Sequence, residues 1–299
     1  MATEIEIPLK GPRGEPVDFA RTIMSHGVAD LPPAHIDEEA RTYTTTIALP
    51  PGSPRTITAG KGRPGFVCVS VEGRRPGARA TRDLGQAVRQ ILNLDEDLSS
   101  FYALVHDDPE LSWAAAGAGR MLRTPTVYEA AVKTVCTTNV AWSATVRMTT
   151  ALVDSLGEQT AGGARAFPTA EAMAAQQETF YRDVVRAGYR SAYLRALAHG
   201  VAGGTIELED LAVASDLLDD EVEARLLGLP GIGPYGAAHM MMLLGRHSRL
   251  ILDSWTRPKY ARLNGRKAND KTIERRFRRY GRYAGLAFWL YLTRDWVPN

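Results

Sequence analysis

The chain has 299 residues, 44% of them hydrophobic and 23% charged, with a formal net charge of +2. This is the composition of an ordinary soluble globular protein, long enough for two modest domains or one large one. No run of about 18 apolar residues occurs, which excludes a membrane-spanning helix, and Met1-Ala2-Thr3-Glu4-Ile5-Glu6 does not read as a signal peptide.

The first hundred or so residues differ from the rest. Asp18 to Ser25 can open a short helix. Tyr43 to Leu49, Arg55 to Thr58 and Gly65 to Val71 are rich in Thr, Val and Ile and are separated by turns such as Pro50-Pro51-Gly52, which predicts a small antiparallel sheet. From about Thr81 the spacing becomes helical, with Leu84, Val88, Ile91 and Leu92, then Leu98, Phe101, Tyr102 and Val105. Helical patterning continues from Thr126 to Leu156, where Thr126 and Glu129 suit a capping box. A Gly-rich loop spans Gly157 to Arg165, a helix starts near Thr169, and another follows Gly188-Tyr189-Arg190 as far as His199-Gly200. The fold class expected is α+β: a small N-terminal antiparallel sheet domain with flanking helices over residues 1–110, packed on a larger helical domain over 111–299.

Charge is distributed unevenly. Glu207 to Glu223 is acidic, whereas the segment 257–294 is expected to form basic C-terminal helices carrying Lys259, Arg262, Arg266, Lys267, Lys271, Arg275 and their neighbours. A basic segment of this kind suits a polyanion, because Lys and Arg that neutralise phosphates release counterions. The two cysteines, Cys68 and Cys136, lie far apart and lack ligand spacing, so this chain alone cannot build a four-cysteine iron–sulfur cluster or a structural zinc site, and no metal centre is expected. Their scarcity favours a reduced, cytoplasmic setting, nucleoid-associated if the source is bacterial.

The most informative segment is Leu229-Pro230-Gly231-Ile232-Gly233-Pro234-Tyr235-Gly236. Gly231 and Gly233 allow positive φ and leave no Cβ between backbone and ligand. The apolar run from Ala237 to Leu244 begins directly afterwards, so the turn opens a helix, whose N-terminal amides and dipole suit a phosphate. The plain alternative is a Gly/Pro connection between two core helices. Leu250-Ile251-Leu252-Asp253 then puts a carboxylate after a short apolar run. Asp253 can be an N-cap, a catalytic carboxylate, or both, since a cap fixes the rotamer.

These residues resemble the helix-hairpin-helix base-excision DNA glycosylases, whose signature is a Leu-Pro-Gly-Val/Ile-Gly hairpin with an essential Asp some twenty residues on. Here the corresponding elements are Leu229 to Gly233 and Asp253. The likeness extends toward the alkylpurine and 8-oxoguanine branches through Ala131 to Asn139, Phe167-Pro168-Thr169 and Gly188-Tyr189-Arg190. It implies double-stranded DNA with a damaged base as partner and a monomer. It implies no cofactor beyond a monovalent cation that the hairpin carbonyls could hold. It also implies that Asn139 and Tyr189 fill the gap left by a flipped base and that Arg190 faces the orphaned partner; by the turn geometry and the basic charge read above, Gly231, Gly233, Gly236, Arg257 and Lys259 are expected to contact the DNA. Tyr235, Trp255, Trp142 and His239 are the candidates for lining the base pocket, each with a core role as its plain alternative.

Two departures bear on mechanism. Bifunctional relatives carry a lysine nucleophile two residues after the second hairpin glycine, where this chain has Tyr235, and a phenol cannot form an imine. The family's common Asp-x-His is Asp253-Ser254-Trp255 here. The expectation is a monofunctional glycosylase acting on an alkylated purine such as 3-methyladenine or 7-methylguanine through Asp253. The alternatives are an 8-oxoguanine-type enzyme, a lyase using another lysine such as Lys259, and a non-catalytic lesion-binding protein.

Overall fold

The computed structural model describes residues 3–48, 52–212 and 216–297. Leu49 and the Pro50-Pro51 part of the expected turn lie outside the described residues, as do Met1 and Ala2. The sheet contains β1 (Thr3–Pro8), β2 (His35–Asp37), β3 (Thr42–Ile47), β4 (Arg55–Lys61) and β5 (Phe66–Val71) in the order β1-β5-β4-β3-β2, with every neighbouring pair antiparallel. Its period-2 pattern is cleanest in β5, where Val67, Val69 and Val71 point inward and Phe66, Cys68 and Ser70 are half-exposed. Strands β1 and β2 extend the sheet beyond the three expected from sequence.

The helices are α1 (Phe19–Ile23), α2 (Ala78–Ile91), α3 (Ser99–Val105), α4 (Val127–Thr137), α5 (Trp142–Leu156), α6 (Ala170–Ala174), α7 (Arg190–Ala202), α8 (Asp219–Leu227), α9 (Pro234–Leu243), α10 (Thr256–Asn264), α11 (Asp270–Phe277) and α12 (Ala284–Thr293). The helical stretch expected over Thr126–Leu156 is broken after Thr137, where Asn139 takes φ 44°, a left-handed value that Asn tolerates better than most residues. The capping box forms by half. Thr126 accepts from the Glu129 amide at 3.1 Å, but the Glu129 side chain turns inward to Lys133 at 2.6 Å. Glu209, from the acidic segment, accepts instead from the Val127 and Tyr128 amides, both at 3.0 Å. The expectation of basic helices through residue 294 is corrected at α12, which is apolar and buried over its whole length.

Three apolar cores result. One face of the sheet packs with Leu84, Val88 and Ile91 of α2. A second core gathers α4 to α9, and a third gathers α3 with α10 to α12. Helix α9 belongs to both, giving Ala237, Met240 and Met241 to the second and Ala238, Met242 and Leu243 to the third. An all-round apolar helix must be enclosed, and every residue of α9 from Gly236 to Leu243 is buried.

Polar ties join the sheet region to the helices. Glu15 and Arg120 form a buried ion pair at 2.9 Å, and Arg120 also donates to the Asn93 and Glu96 carbonyls at 2.7 and 2.6 Å. Removing one member of such a pair strands a buried charge. Glu15→Ala is therefore expected to lower the unfolding free energy by about 3–5 kcal/mol, measured as a shift of the urea midpoint; an unchanged midpoint contradicts this.

Candidate active site

The hairpin is anchored by the buried Leu229 and Ile232, and Ile232 N donates to Leu229 O at 3.2 Å. Gly231 has φ 78°, and a Cβ built there would lie 2.9 Å from Cβ of Tyr193, so the position excludes a side chain on two grounds. Gly233 precedes Pro234, which occupies the first helical position, and no side chain caps the N-terminus of α9. The first-turn amides of α9 are therefore available to an anion. Gly236 serves packing instead: it is buried, and a Cβ on it would meet Thr134 of α4 at 3.1 Å.

A cleft of about 700 Å³ opens at this point, lined by the hairpin, by Thr137 to Val140, by Tyr189 and Tyr193, and by Leu252, Asp253, Ser254 and Arg257. The structure thus brings together Asn139, Tyr189, Gly231, Gly233, Gly236, Tyr235, Asp253 and Arg257 from the sequence candidates. Asp253 Oδ1 accepts from the Trp255 and Thr256 amides at 2.9 and 2.6 Å, while its own amide donates to Thr256 Oγ1 at 2.8 Å. The carboxylate thus caps the start of α10 through one oxygen. Among the described residues, no hydrogen bond engages Oδ2. Burial pushes the Tyr235 phenol above its ordinary pKa, a hydrogen bond with the Thr137 side chain opposes the rise, and the nearby Asp253 charge adds to it. Tyr235 is thus a neutral phenol at physiological pH.

Beneath Tyr235 lies a histidine pair. His239 stacks under the phenol ring at 6.3 Å, and His26 meets His239 edge-on at 5.6 Å. Burial lowers their pKa values to about 3 and about 4, so both are neutral. His26 Nε2 lies 2.8 Å from the Leu122 carbonyl, and Trp289 Nε1 donates to the Ser25 carbonyl at 2.8 Å. The segment between α1 and β2 is therefore part of the floor under the cleft. His239 is a buried support and does not line the cleft.

Other candidates are placed elsewhere. Trp142 opens α5 at 49% exposure, outside the cleft lining. Trp255 adjoins Asp253 but turns to Trp289 and Trp296, with both ring centroids 5.6 Å away. Arg190 is buried; its guanidinium donates to the Thr138 carbonyl, and its Cζ lies 4.4 Å from the centre of the Tyr189 ring. It braces the Thr138–Asn139 turn and Tyr189, the latter 56% exposed, in place of facing outward. Lys259 binds both oxygens of Asp295, at 2.9 and 2.7 Å, and lies outside the cleft. Lys133, one turn before Thr137 on α4, is locked to Glu129 and to the Leu31 carbonyl at 2.9 Å. No lysine lines the cleft among the described residues.

Sequence reasoning missed Thr137, Tyr193 and His26. Tyr193 lies four residues after Tyr189, one turn along α7, and its ring stands edge-on to that of Tyr189 at 6.1 Å. His26 carries no local signal, because its place is set by packing between distant segments. Among the described residues no group of three or more His, Cys, Asp or Glu could hold a metal ion, and no helix is long and apolar enough to cross a membrane.

No family model and no curated protein matches this sequence. Solved structures do. The 3-methyladenine DNA glycosylase from Archaeoglobus fulgidus superposes with a TM-score of 0.73 at 18% identity, covering 99% of this chain and 100% of that one. MBOgg1 in complex with a low-affinity DNA ligand gives 0.73 at 18% identity, covering 99% and 97%. The 8-oxoguanine glycosylase/lyase of Clostridium acetobutylicum in its apo-form gives 0.72 at 18%, covering 98% of both chains. The chain therefore has the α+β helix-hairpin-helix fold of these DNA glycosylases across nearly its full length.

The two hairpin glycines are expected to behave differently. Gly231→Ala meets both a left-handed backbone and the Tyr193 ring, and is expected to cost about 1–3 kcal/mol. Gly233 has φ −102° and open space around its Cβ position, so Gly233→Ala should stay within about 0.5 kcal/mol. Thermal melting of the two variants checks the difference, and equal losses contradict it.

Proposed function

We propose that this protein is a DNA glycosylase that flips a damaged purine out of duplex DNA and hydrolyses its N-glycosidic bond without a covalent intermediate. The observation carrying this reading is the pairing of Asp253 with Tyr235 across one cleft: a carboxylate fixed through Oδ1, facing a neutral phenol where catalysis by imine formation would need an amine. The hairpin amides hold the DNA backbone without reading sequence. Extracting a base costs a few kcal/mol, and the exposed Tyr189 ring with Asn139 fills the vacated stack. As the bond between C1′ and the base nitrogen breaks, positive charge develops on the sugar. Asp253 offsets that charge and takes the proton of the attacking water. The product is a free base and an abasic site, and this hydrolysis needs no cofactor.

The substrate we propose is an alkylated purine, such as 3-methyladenine or 7-methylguanine. A base already cationic leaves readily, and the neutral His239–His26 pair under Tyr235 puts no opposing charge beneath it. The second reading, an oxidised purine, is favoured by Gly188-Tyr189-Arg190, but Arg190 is turned inward. Excision from duplexes carrying single defined lesions separates the two. On the lesion that is released, Asp253→Asn is expected to lower turnover by about a hundredfold or more while leaving duplex affinity within a few-fold. Near-normal turnover in that variant sinks the assignment, and a wild-type chain that binds but releases no base favours a lesion-binding protein.

A further inference from the structure

A second concavity lies beyond Arg257 at the edge of the cleft. The Arg257 guanidinium forks onto Asp270, the first residue of α11, at 2.8 and 2.9 Å. At the far ends of the two helices, Arg276 of α11 donates to Asn264 of α10 at 2.7 Å and to the Tyr260 hydroxyl at 3.2 Å. Side-chain bonds therefore tie α11 to α10 near both of its ends, with Arg257 at the cleft. Bounded by the C-terminal half of α10, the connection that follows it and α11 is an open groove of about 590 Å³ lined by Asn264, Arg266, Lys267, Asn269, Thr272 and Arg275, among others.

Charge along this groove is one-sided. Basic residues nearer the body of the protein are committed to carboxylates: Arg257 to Asp270, Lys259 to Asp295, Arg276 to Glu110 and Arg279 to Asp108. Arg262, Arg266, Lys267, Lys271, Arg275 and Arg278 are exposed and have no ion-pair partner among the described residues, with Glu274 as the exposed carboxylate in their midst. Of these six, Arg266, Lys267 and Arg275 line the groove, and a chain of near-neutral net charge that neutralises its inner cations and leaves these open has a local positive field there.

We infer that the groove formed by α10, α11 and their connection is a second grip on the DNA backbone, beyond the cleft on one flank of the lesion. The inference rests on the DNA-binding reading of the cleft. The nine residues of α10 span about 13 Å, the axial rise of about four base pairs. The cation-lined groove is open, and the Arg257–Asp270 pair ties the rim of the cleft to the start of α11, next to Asn269 in the groove lining, which suits a polymer backbone. Its side chains are long and flexible, so the grip adds affinity and salt dependence without base readout.

The test compares the full-length wild type with a triple variant, Arg266→Ser, Lys267→Ser and Arg275→Ser, and with a charge-retaining control, Arg266→Lys with Arg275→Lys. Binding is measured against salt on duplexes carrying a non-cleavable abasic analogue, extended by about six base pairs on one side or the other. Wild type and control should gain affinity from one of the two extensions. The triple variant should lose that gain, with a salt slope shallower by about two to three and affinity lower by roughly tenfold or more near 0.1 M salt. An unchanged slope and an unchanged extension gain in a folded triple variant overturn the second grip alone. A wild type that binds no duplex overturns both this inference and the glycosylase reading. Loss of binding to polyglutamate with DNA binding intact assigns the groove to an acidic protein and also overturns the inference.

Discussion

Helix α9 is apolar around its whole circumference, so it is stable only when enclosed, and two of the three cores close around it. That enclosure has a direct consequence at its N-terminus. The hairpin cannot be buried with the helix, because its first-turn amides lack intrahelical acceptors and no side chain caps them. The helix therefore ends at the surface with its donors facing the cleft, and Tyr235 is held at the rim by the same packing that buries His239 one turn later. Burial of α9 thus fixes the orientation of the hairpin and the position of the phenol in one stroke.

Asp253 reaches the same cleft by an independent route. Its backbone follows the buried Ile251, and its Oδ1 is spent on the two amides that open α10. The structural and chemical roles weighed for this residue are compatible, since capping uses Oδ1 and, among the described residues, leaves Oδ2 without a hydrogen bond in a residue that lines the cleft. The N-terminal region contributes as well. His26 and Ser25 lie under the site, and the Leu31 carbonyl receives Lys133 from α4. The segment between α1 and β2 thus supports the site from beneath, through His26 and His239, without lining the cleft.

Much of this organisation was legible in the sequence, and the reasons differ by element. Strands β3 to β5 carry Thr, Val and Ile with turn residues between them, and the hairpin glycines announce themselves by spacing. Strand β2 is too short for a pattern, and β1 alternates Glu4, Ile5, Glu6 and Ile7 at the very start of the chain. Capping chemistry was legible only in part: Glu129 stands at the right spacing, yet Lys133 captures it, and the distant Glu209 accepts from the next two amides, those of Val127 and Tyr128. In the site, backbone-defined residues were easier than side chains with two apolar destinations. Trp255 adjoins Asp253 but finds Trp289 and Trp296, residues that come close only once α12 has packed. Arg190 follows the same logic, because the open carbonyl of Thr138 beside a helix break attracts a guanidinium inward.

The hydrolysis proposed for this cleft rests on the absence of a lysine from its lining among the described residues. Tyr235 is a neutral phenol, Lys259 is bound to Asp295, and Lys133 is bound to Glu129. The most direct measurement is incubation of the full-length protein with a duplex carrying the excised base in the presence of sodium borohydride, followed by denaturing electrophoresis. The account predicts free base, an abasic strand that stays intact until treated with alkali, and no protein–DNA adduct. A borohydride-trapped adduct, with cleavage of the strand when borohydride is left out, would contradict it.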